Sequence, residues 1–314
     1  MRDALERTID TLRLSVTDRC NLRCIYCMSE QGIPLVSHSE ILSVEEIVRL
    51  AGILIDEAGL LKVRITGGEP LVRKGLLEII RGIASLDLEE LTLTTNGVLL
   101  AEQAAGLADA GVERVNVSLD SLRDDRLAFI TRRAVSLGSI EKAIEAAFLA
   151  GLAPVKVNCV VLRGVNEDEM TDFLLWGRSM GVTVRFIEHM PAMLSTETFV
   201  PASEMLSRIS ELGPVRTVEQ DGGAASLYSV EGTDIRFGVI APISEPMCPR
   251  CRRIRLTADG TLVPCLASVE SIPLKDLLRS GSISEIRHLV RESVLSKPES
   301  HGGCSGVSMW KIGG

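Results

Sequence analysis

Residues 11–27 read TLRLSVTDRCNLRCIYC, and this stretch decides the architecture. From Thr11 to Val16, apolar Leu12, Leu14 and Val16 alternate with polar Arg13 and Ser15, the period of a β-strand. Three cysteines follow at once, as Cys20-x3-Cys24-x2-Cys27. An odd number of thiols cannot pair off into disulfides, and thiolates are the usual ligands of iron–sulfur clusters. Three of them leave one iron of a 4Fe–4S cube open to something other than protein. A structural zinc ion generally wants four protein ligands, and no fourth is close in sequence. The stretch therefore predicts a strand whose end carries a cluster loop.

The same rhythm continues downstream. Strand patterns recur at residues 61–66, 90–95, 113–118, 154–161 and 182–188, with helix-period segments between several of them. One such segment starts at Ser43, which is placed as an N-cap with Glu46 at the capping-box position. The alternation predicts an α/β fold with a parallel sheet, specifically an incomplete (β/α)6 barrel over residues 1–195. An open doubly wound sheet is the alternative. After about Pro191 the rhythm changes to a helix near residues 200–213, a Gly-rich segment around Asp221, and a second triad, Cys248-x2-Cys251-x13-Cys265. Residues 196–314 are expected to form a C-terminal α+β domain. The second triad, like the first, suits a cluster with one open position; a zinc ribbon, with Cys304 as its fourth ligand, is the bland alternative.

Strands covered on both faces should read as near-continuous apolar runs, and these do not. Arg13, Lys62, Arg64, Thr94, Asn116, Ser118, Lys156 and Arg185 fall on the faces opposite the apolar set. The apolar set must face the helices, so the polar set lines the barrel interior as a ligand chamber. Cations recurring there, in a chain of net charge −8, need an anion to offset them. A polyanionic ligand is expected; solvated edge strands are the bland alternative. The negative charge argues against a nucleic-acid-binding surface. No stretch approaches the length of a membrane span and no export signal is evident, which assigns the thiols to a reducing cytoplasm.

The cysteine loop, together with Gly67-Gly68-Glu69-Pro70 after the second strand, resembles the radical S-adenosylmethionine (SAM) enzymes. The resemblance implies a 4Fe–4S cluster on Cys20, Cys24 and Cys27, with SAM on its open iron. It places Tyr26 against SAM, lets the backbone at Gly68 approach it closely, and has Glu69 accept from its ammonium. Ser118 and Met190 are implied as further SAM contacts.

Resemblance then extends over nearly the whole chain, through RITGGEPLVRK, VNVSLDSL, RFIEHMP, CRRIRLTADGTLVPCL and the closing IGG, to the GTP 3′,8-cyclase family of molybdenum-cofactor (molybdopterin) biosynthesis. It implies a second 4Fe–4S cluster on Cys248, Cys251 and Cys265 that meets the guanine base. It implies GTP contacts from Arg13, Arg64, Thr94, Lys156, Arg253 and Arg255, with Lys62 and Arg185 as further cations. The tail, Gly313 and Gly314, would reach into the active site, a frayed terminus being the alternative. The implied reaction removes hydrogen from C3′ of GTP with a 5′-deoxyadenosyl radical and closes C3′ onto C8. Implied partners are a reduced flavodoxin- or ferredoxin-type electron donor and the next enzyme of molybdopterin synthesis; a homodimer is compatible.

Pro249-Arg250 and the loop after Met190 depart from the family pattern. A peptide-modifying radical SAM enzyme would want more cysteines in the second domain and no ring of cations. An iron–sulfur carrier or sensor would not need the GGEP turn. Cys159, on an apolar strand face, reads as an inert core thiol, and neither His189 nor His301 receives a role.

Overall fold

Leu12 and Leu14 are fully buried in strand β1 (Thr11–Ser15), while Arg13 between them is only half-buried on the other face. The same split recurs in β2 (Lys62–Thr66), β3 (Glu90–Thr95), β4 (Arg114–Ser118), β5 (Lys156–Val161) and β6 (Thr183–Glu188). Val63, Ile65, Leu91, Leu93, Val115, Val117, Val157, Cys159, Val184 and Phe186 are all buried, so one face of every strand joins the core. The structure is a computed structural model that describes residues 1–33, 36–37, 39–190, 194–218, 223–266 and 271–300.

Helices separate the strands: α1 (Val44–Ala58), α2 (Leu76–Ala84), α3 (Leu100–Asp109), α4 (Asp124–Thr131), α5 (Leu137–Leu149) and α6 (Met170–Met180). Helix α1 begins at the capping box expected from sequence. The Ser43 side chain accepts from the Glu46 N–H at 3.2 Å, and the Ser43 N–H donates to Glu46 Oε2 at 2.9 Å. Its buried residues Ile47, Leu50, Ala51, Leu54 and Ala58 recur at helical spacing and turn to the sheet.

Strands β1 to β6 lie side by side in sequence order, each parallel to the next. A doubly wound sheet requires a point where strand order reverses; none occurs from β1 to β6 among the described residues, and the incomplete six-stranded barrel is the fold.

The C-terminal segment holds α7 (Ala202–Ile209), β7 (Val215–Thr217), β8 (Ser226–Val230), β9 (Arg236–Ile240), β10 (Arg253–Leu256), β11 (Thr261–Val263), β12 (Ile272–Pro273), α8 (Lys275–Ser280) and α9 (Ile283–Leu295). Its strands extend the barrel sheet at both sides. β9 pairs in parallel with β6, and β10 in parallel with β1. Antiparallel neighbours complete an open sheet of twelve strands among the described residues, β12-β11-β10-β1-β2-β3-β4-β5-β6-β9-β8-β7. Helix α9 lies against α1, where Arg287 Nη1 donates to Glu57 Oε2 at 3.0 Å. This arrangement brings both cysteine triads to one chamber.

Candidate active site

The C-terminal ends of the parallel strands surround a cavity of about 340 Å³, the location where βα barrels place their chemistry. Cys20, Cys24 and Cys27 line it from the loop after β1; Gly68 and Glu69 follow β2, Ser118 ends β4, and Met190 follows β6. Gly68 is where the turn after β2 presses on the cysteine loop. A Cβ there would stand 2.4 Å from the Arg19 carbonyl oxygen and 2.7 Å from its carbon, both backbone atoms that cannot swing aside. The next N–H, of Glu69, donates to that same carbonyl at 2.7 Å.

Glu69 is buried and joins the ends of two strands. Its carboxylate accepts from the Leu71 N–H at 3.0 Å, Thr95 Oγ1 at 2.7 Å and the Asn96 N–H at 2.7 Å. Burial raises its pKa to about 7, against the pull of those donors. Beside Cys24, the Tyr26 hydroxyl donates to Asp120 Oδ2 at 2.7 Å, and the Val160 N–H donates to Asp120 Oδ1 at 2.8 Å. Burial brings the Asp120 carboxyl up to about 6, again against its donors.

All cysteines among the described residues are free. Burial, then Asp120 and the neighbouring thiols, pushes Cys24 well up; burial, Cys20 and Asp120 push Cys27 to about 12. Cys20 is raised as well, chiefly by burial. Such thiols ionise only if a cation takes the thiolate. Among the described residues no three His, Cys, Asp or Glu side chains are gathered to hold a single metal ion. Three unpaired thiols on one wall, beside a cradle that only glycine permits, fit an iron–sulfur cluster with a ligand on its open iron.

Cations occupy the chamber walls between the triads. Arg13 is in register with Arg64 on one side and Arg255 on the other. Burial, then the charges of Arg255, Arg253, Arg64 and Arg185, lowers the Arg13 pKa well below the ordinary arginine value. Thr94, Asn116 and Lys156 stand in register across β3, β4 and β5. Arg185 Nη2 donates to Asn116 Oδ1 at 2.6 Å, and Asn116 Nδ2 to Thr94 Oγ1 at 3.3 Å. Gly238 lies opposite Arg185 on β9, and a Cβ there would come within 2.9 Å of Arg185 Cγ. Arg64, Arg185 and Arg253 also line an adjoining cavity of about 160 Å³ near the N-terminal ends of the strands, and Lys62 and Lys156 line that smaller cavity rather than the larger one.

The chamber is less one-sided than its cations suggest. Glu90 shares their face: it pairs with Arg114 and lies 3.9 Å from Arg64 Nη2. Asp10 pairs with Arg252 at the same level. An incoming anion therefore meets a positive wall already partly compensated.

Cys248 and Cys251 precede β10, Cys265 follows β11, and all three line the larger cavity with the first triad. Arg253 and Arg255 line it too. Burial pushes the Cys251 thiol up, but the positive charges of Lys297 and Arg253 outweigh it and hold the pKa below its ordinary value. Three unpaired thiols again fit a cluster, here in cationic surroundings.

Gly313, Gly314, His301, Cys304 and the residues around Asp221 lie outside the described residues. Sequence reasoning passed over several neighbours of the site. Asp120 and Asn96 stood unassigned beside assigned residues. His189 is buried in the cavity wall, its Nδ1 3.3 Å from Thr198 Oγ1 and its Nε2 without a hydrogen-bond partner among the described residues. Lys297 and Arg7 carry no local signal at all. No helix among the described residues is long and apolar enough to cross a membrane.

Two family models match the chain: the radical SAM superfamily over residues 14–177, and Molybdenum Cofactor Synthesis C over residues 182–303. The GTP 3′,8-cyclase of Thermodesulfovibrio yellowstonii is 44% identical over 95% of this chain and 95% of its own. That of Pelotomaculum thermopropionicum is 46% identical over 96% of this chain and 95% of its own. Among solved structures, Streptococcus suis SuiB aligns with a TM-score of 0.63 at 13% identity, covering 91% of this chain and 68% of its own. SuiB bound to S-adenosylmethionine gives the same TM-score of 0.63 and 13% identity, covering 90% of this chain and 68% of its own. HydG, a maturase of the [FeFe]-hydrogenase, aligns at 0.51 with 16% identity, over 65% of this chain and 50% of its own. At these identities the structural likeness is one of fold.

Proposed function

Because the chain belongs to the GTP 3′,8-cyclase family of the radical SAM superfamily, we propose that it converts GTP to 3′,8-cyclo-7,8-dihydro-GTP in molybdenum-cofactor biosynthesis. One observation carries the reading: both cysteine triads open onto a single cavity, and cations line the walls between them. Cys20, Cys24 and Cys27 would hold a cluster whose chemistry is one-electron reduction of SAM, releasing methionine and providing for hydrogen removal at C3′ of GTP; after C3′ closes onto C8, an electron and a proton would complete the product.

The residues of the chain bind and orient. Cys20, Cys24 and Cys27 would hold the first cluster, and Cys248, Cys251 and Cys265 a second that faces the guanine base. Tyr26, Gly68, Glu69, Ser118 and Met190 surround the place for SAM. Arg13, Arg64, Thr94, Lys156, Arg253 and Arg255 would grip GTP, with Lys62 and Arg185 adding charge toward the triphosphate. Their work is positioning: holding C3′ of one molecule at the reactive carbon of another supplies a large share of the rate in a bimolecular step. The family resemblance assigns Gly313 and Gly314 to the same site. A reduced flavodoxin- or ferredoxin-type protein in the cytoplasm would supply electrons, and the next enzyme of molybdopterin synthesis would take the product. Residues 1–195 are read as the SAM half and 196–314 as the half that brings the second cluster.

Anaerobically reconstituted protein with reductant, SAM and GTP should yield 5′-deoxyadenosine and an isomer of GTP. Full iron loading with deoxyadenosine formation indifferent to GTP would sink the substrate assignment. Arg253→Ala should lose cyclisation while keeping the iron of the first cluster; normal cyclisation by that variant would refute the role given to the second half.

A further inference from the structure

Lys297, in the short stretch after α9, is only 5% exposed, and the substrate assignment makes no use of it. Its Nζ donates to the carbonyl of Arg253 at 2.9 Å and to that of Pro264 at 2.5 Å, and lies 3.9 Å from Sγ of Cys251. An ammonium carries three donors and no acceptor, and these are three acceptors. Arg253 follows Cys251 by two residues, and Pro264 immediately precedes Cys265. A single side chain thus ties together the two segments that carry the second triad.

Arg7 fixes this lysine in place. Its guanidinium donates to the carbonyls of Cys248 and Pro298, each at 2.9 Å, and its Nε donates to Asp3 Oδ2 at 2.6 Å. The charge of Arg7 is therefore met by Asp3, whereas Lys297 has no carboxylate among its hydrogen-bond partners within the described residues. A buried ammonium is costly unless negative charge compensates it. Cys251 Sγ lies 3.9 Å from the ammonium, and Cys265 directly follows Pro264, whose carbonyl the ammonium binds. Thiolates at those two positions are the compensation the site offers.

We infer that the Lys297 ammonium is a positioning residue for a cluster on Cys248, Cys251 and Cys265, offsetting the negative charge of the thiolates and setting the cluster's reduction potential. The inference rests on the reading of those cysteines as cluster ligands. Net charge and hydrogen bonds to sulfur govern iron–sulfur potentials, and a cation beside the sulfurs favours the reduced state. The charge also has a second consequence. A cluster on three thiolates would bring negative charge into the cavity that must receive a polyphosphate, and the lysine offsets it from behind.

The test uses the full chain with Cys20, Cys24 and Cys27 changed to Ala, reconstituted anaerobically so that only the second triad can hold a cluster. The midpoint potential is read by redox titration followed by electron paramagnetic resonance, with circular dichroism to confirm folding. Lys297→Gln should shift the midpoint to more negative potential, and Lys297→Arg should leave it near that of the parent. Lys297→Met, which buries no unpaired amide, is a second neutral variant should the glutamine fail to fold. Clusters lost from the neutral variants but kept with arginine also support the role of charge. Unchanged potential in the neutral variants, or arginine behaving like glutamine, overturns it. A parent that binds no cluster removes instead the assignment of the three cysteines, a separate result.

Discussion

The Tyr26 hydroxyl donates to Oδ2 of Asp120 at 2.7 Å and so ties the cysteine loop after β1 to the segment that follows β4. The other carboxylate oxygen is held by the Val160 N–H, so the pair fixes the Tyr26 ring against the cavity. A buried hydrogen bond to a charged group contributes about 1.5–3 kcal/mol. Tyr26→Phe and Asp120→Asn are each expected to weaken SAM binding to the reconstituted protein by roughly tenfold or more. The double variant should be little worse than the weaker single one, because both changes break one link. Fully additive losses in equilibrium binding would show that the two side chains act separately.

Gly68→Ala should be disabling for a steric reason. The added carbon meets backbone of Arg19 at 2.4 Å, so the turn after β2 and the cysteine loop must part. Overpacking of this kind costs typically about 1–3 kcal/mol. Iron retention by the first triad should fall with it. Gly138→Ala in α5 is the control, since nothing lies within 4 Å of its Cβ position; its melting temperature should be unchanged or slightly raised. Equal melting temperatures and iron contents for the two variants would contradict the cradle.

Glu69 gives the cluster-free protein a pH signature. Its folded pKa, raised by burial to about 7, lies above the ordinary glutamate value of 4.5. Across that window the folded state binds more protons than the unfolded state. Stability therefore falls as pH rises from about 4.5 to 7, by an amount on the order of 3 kcal/mol. Glu69→Gln removes the titration, and denaturant unfolding of the variant should show a flatter pH dependence over this window. An identical slope in wild type and variant would refute the assignment.

Lys156 lies in register with Asn116 and faces the smaller cavity among the chamber's cations. Removing a charge that holds a phosphate equally in ground and transition states raises KM and leaves kcat alone. Lys156→Ala is expected to raise KM for GTP by about tenfold, with Lys156→Arg recovering most of it. A loss confined to kcat would place this lysine at the reacting atoms instead.

Much of this arrangement is legible in local periodicity. Alternation along Leu12-Arg13-Leu14 and its counterparts separates core face from chamber face without any knowledge of the partner strands. Ser43 and Glu46 announce the start of α1 because a capping box involves four consecutive residues. What periodicity cannot carry is pairing at a distance. Glu90 sits on the chamber face by parity, yet its partner Arg114 belongs to the next strand. The returns of β9 to β6 and of β10 to β1 leave no trace in either segment alone. Lys297 reads as an ordinary surface lysine until the fold sets it behind Cys251.

The placement of β10 beside β1 also bears on how the protein is made. Asp10 and Arg252, paired at that seam, are 242 residues apart in the chain. Six parallel strands leave the ribosome before either flanking partner exists, with the open rows of N–H and C=O on β1 and β6 free to join other chains. Pairings over such separations form slowly, so the nascent chain passes through an interval of exposure to aggregation. Neither seam can close before the last quarter of the chain has begun to be synthesised, and the second triad arrives in the same stretch. Because Cys265 follows β11, its thiol reaches Cys248 and Cys251 only through the pairing of β11 with β10.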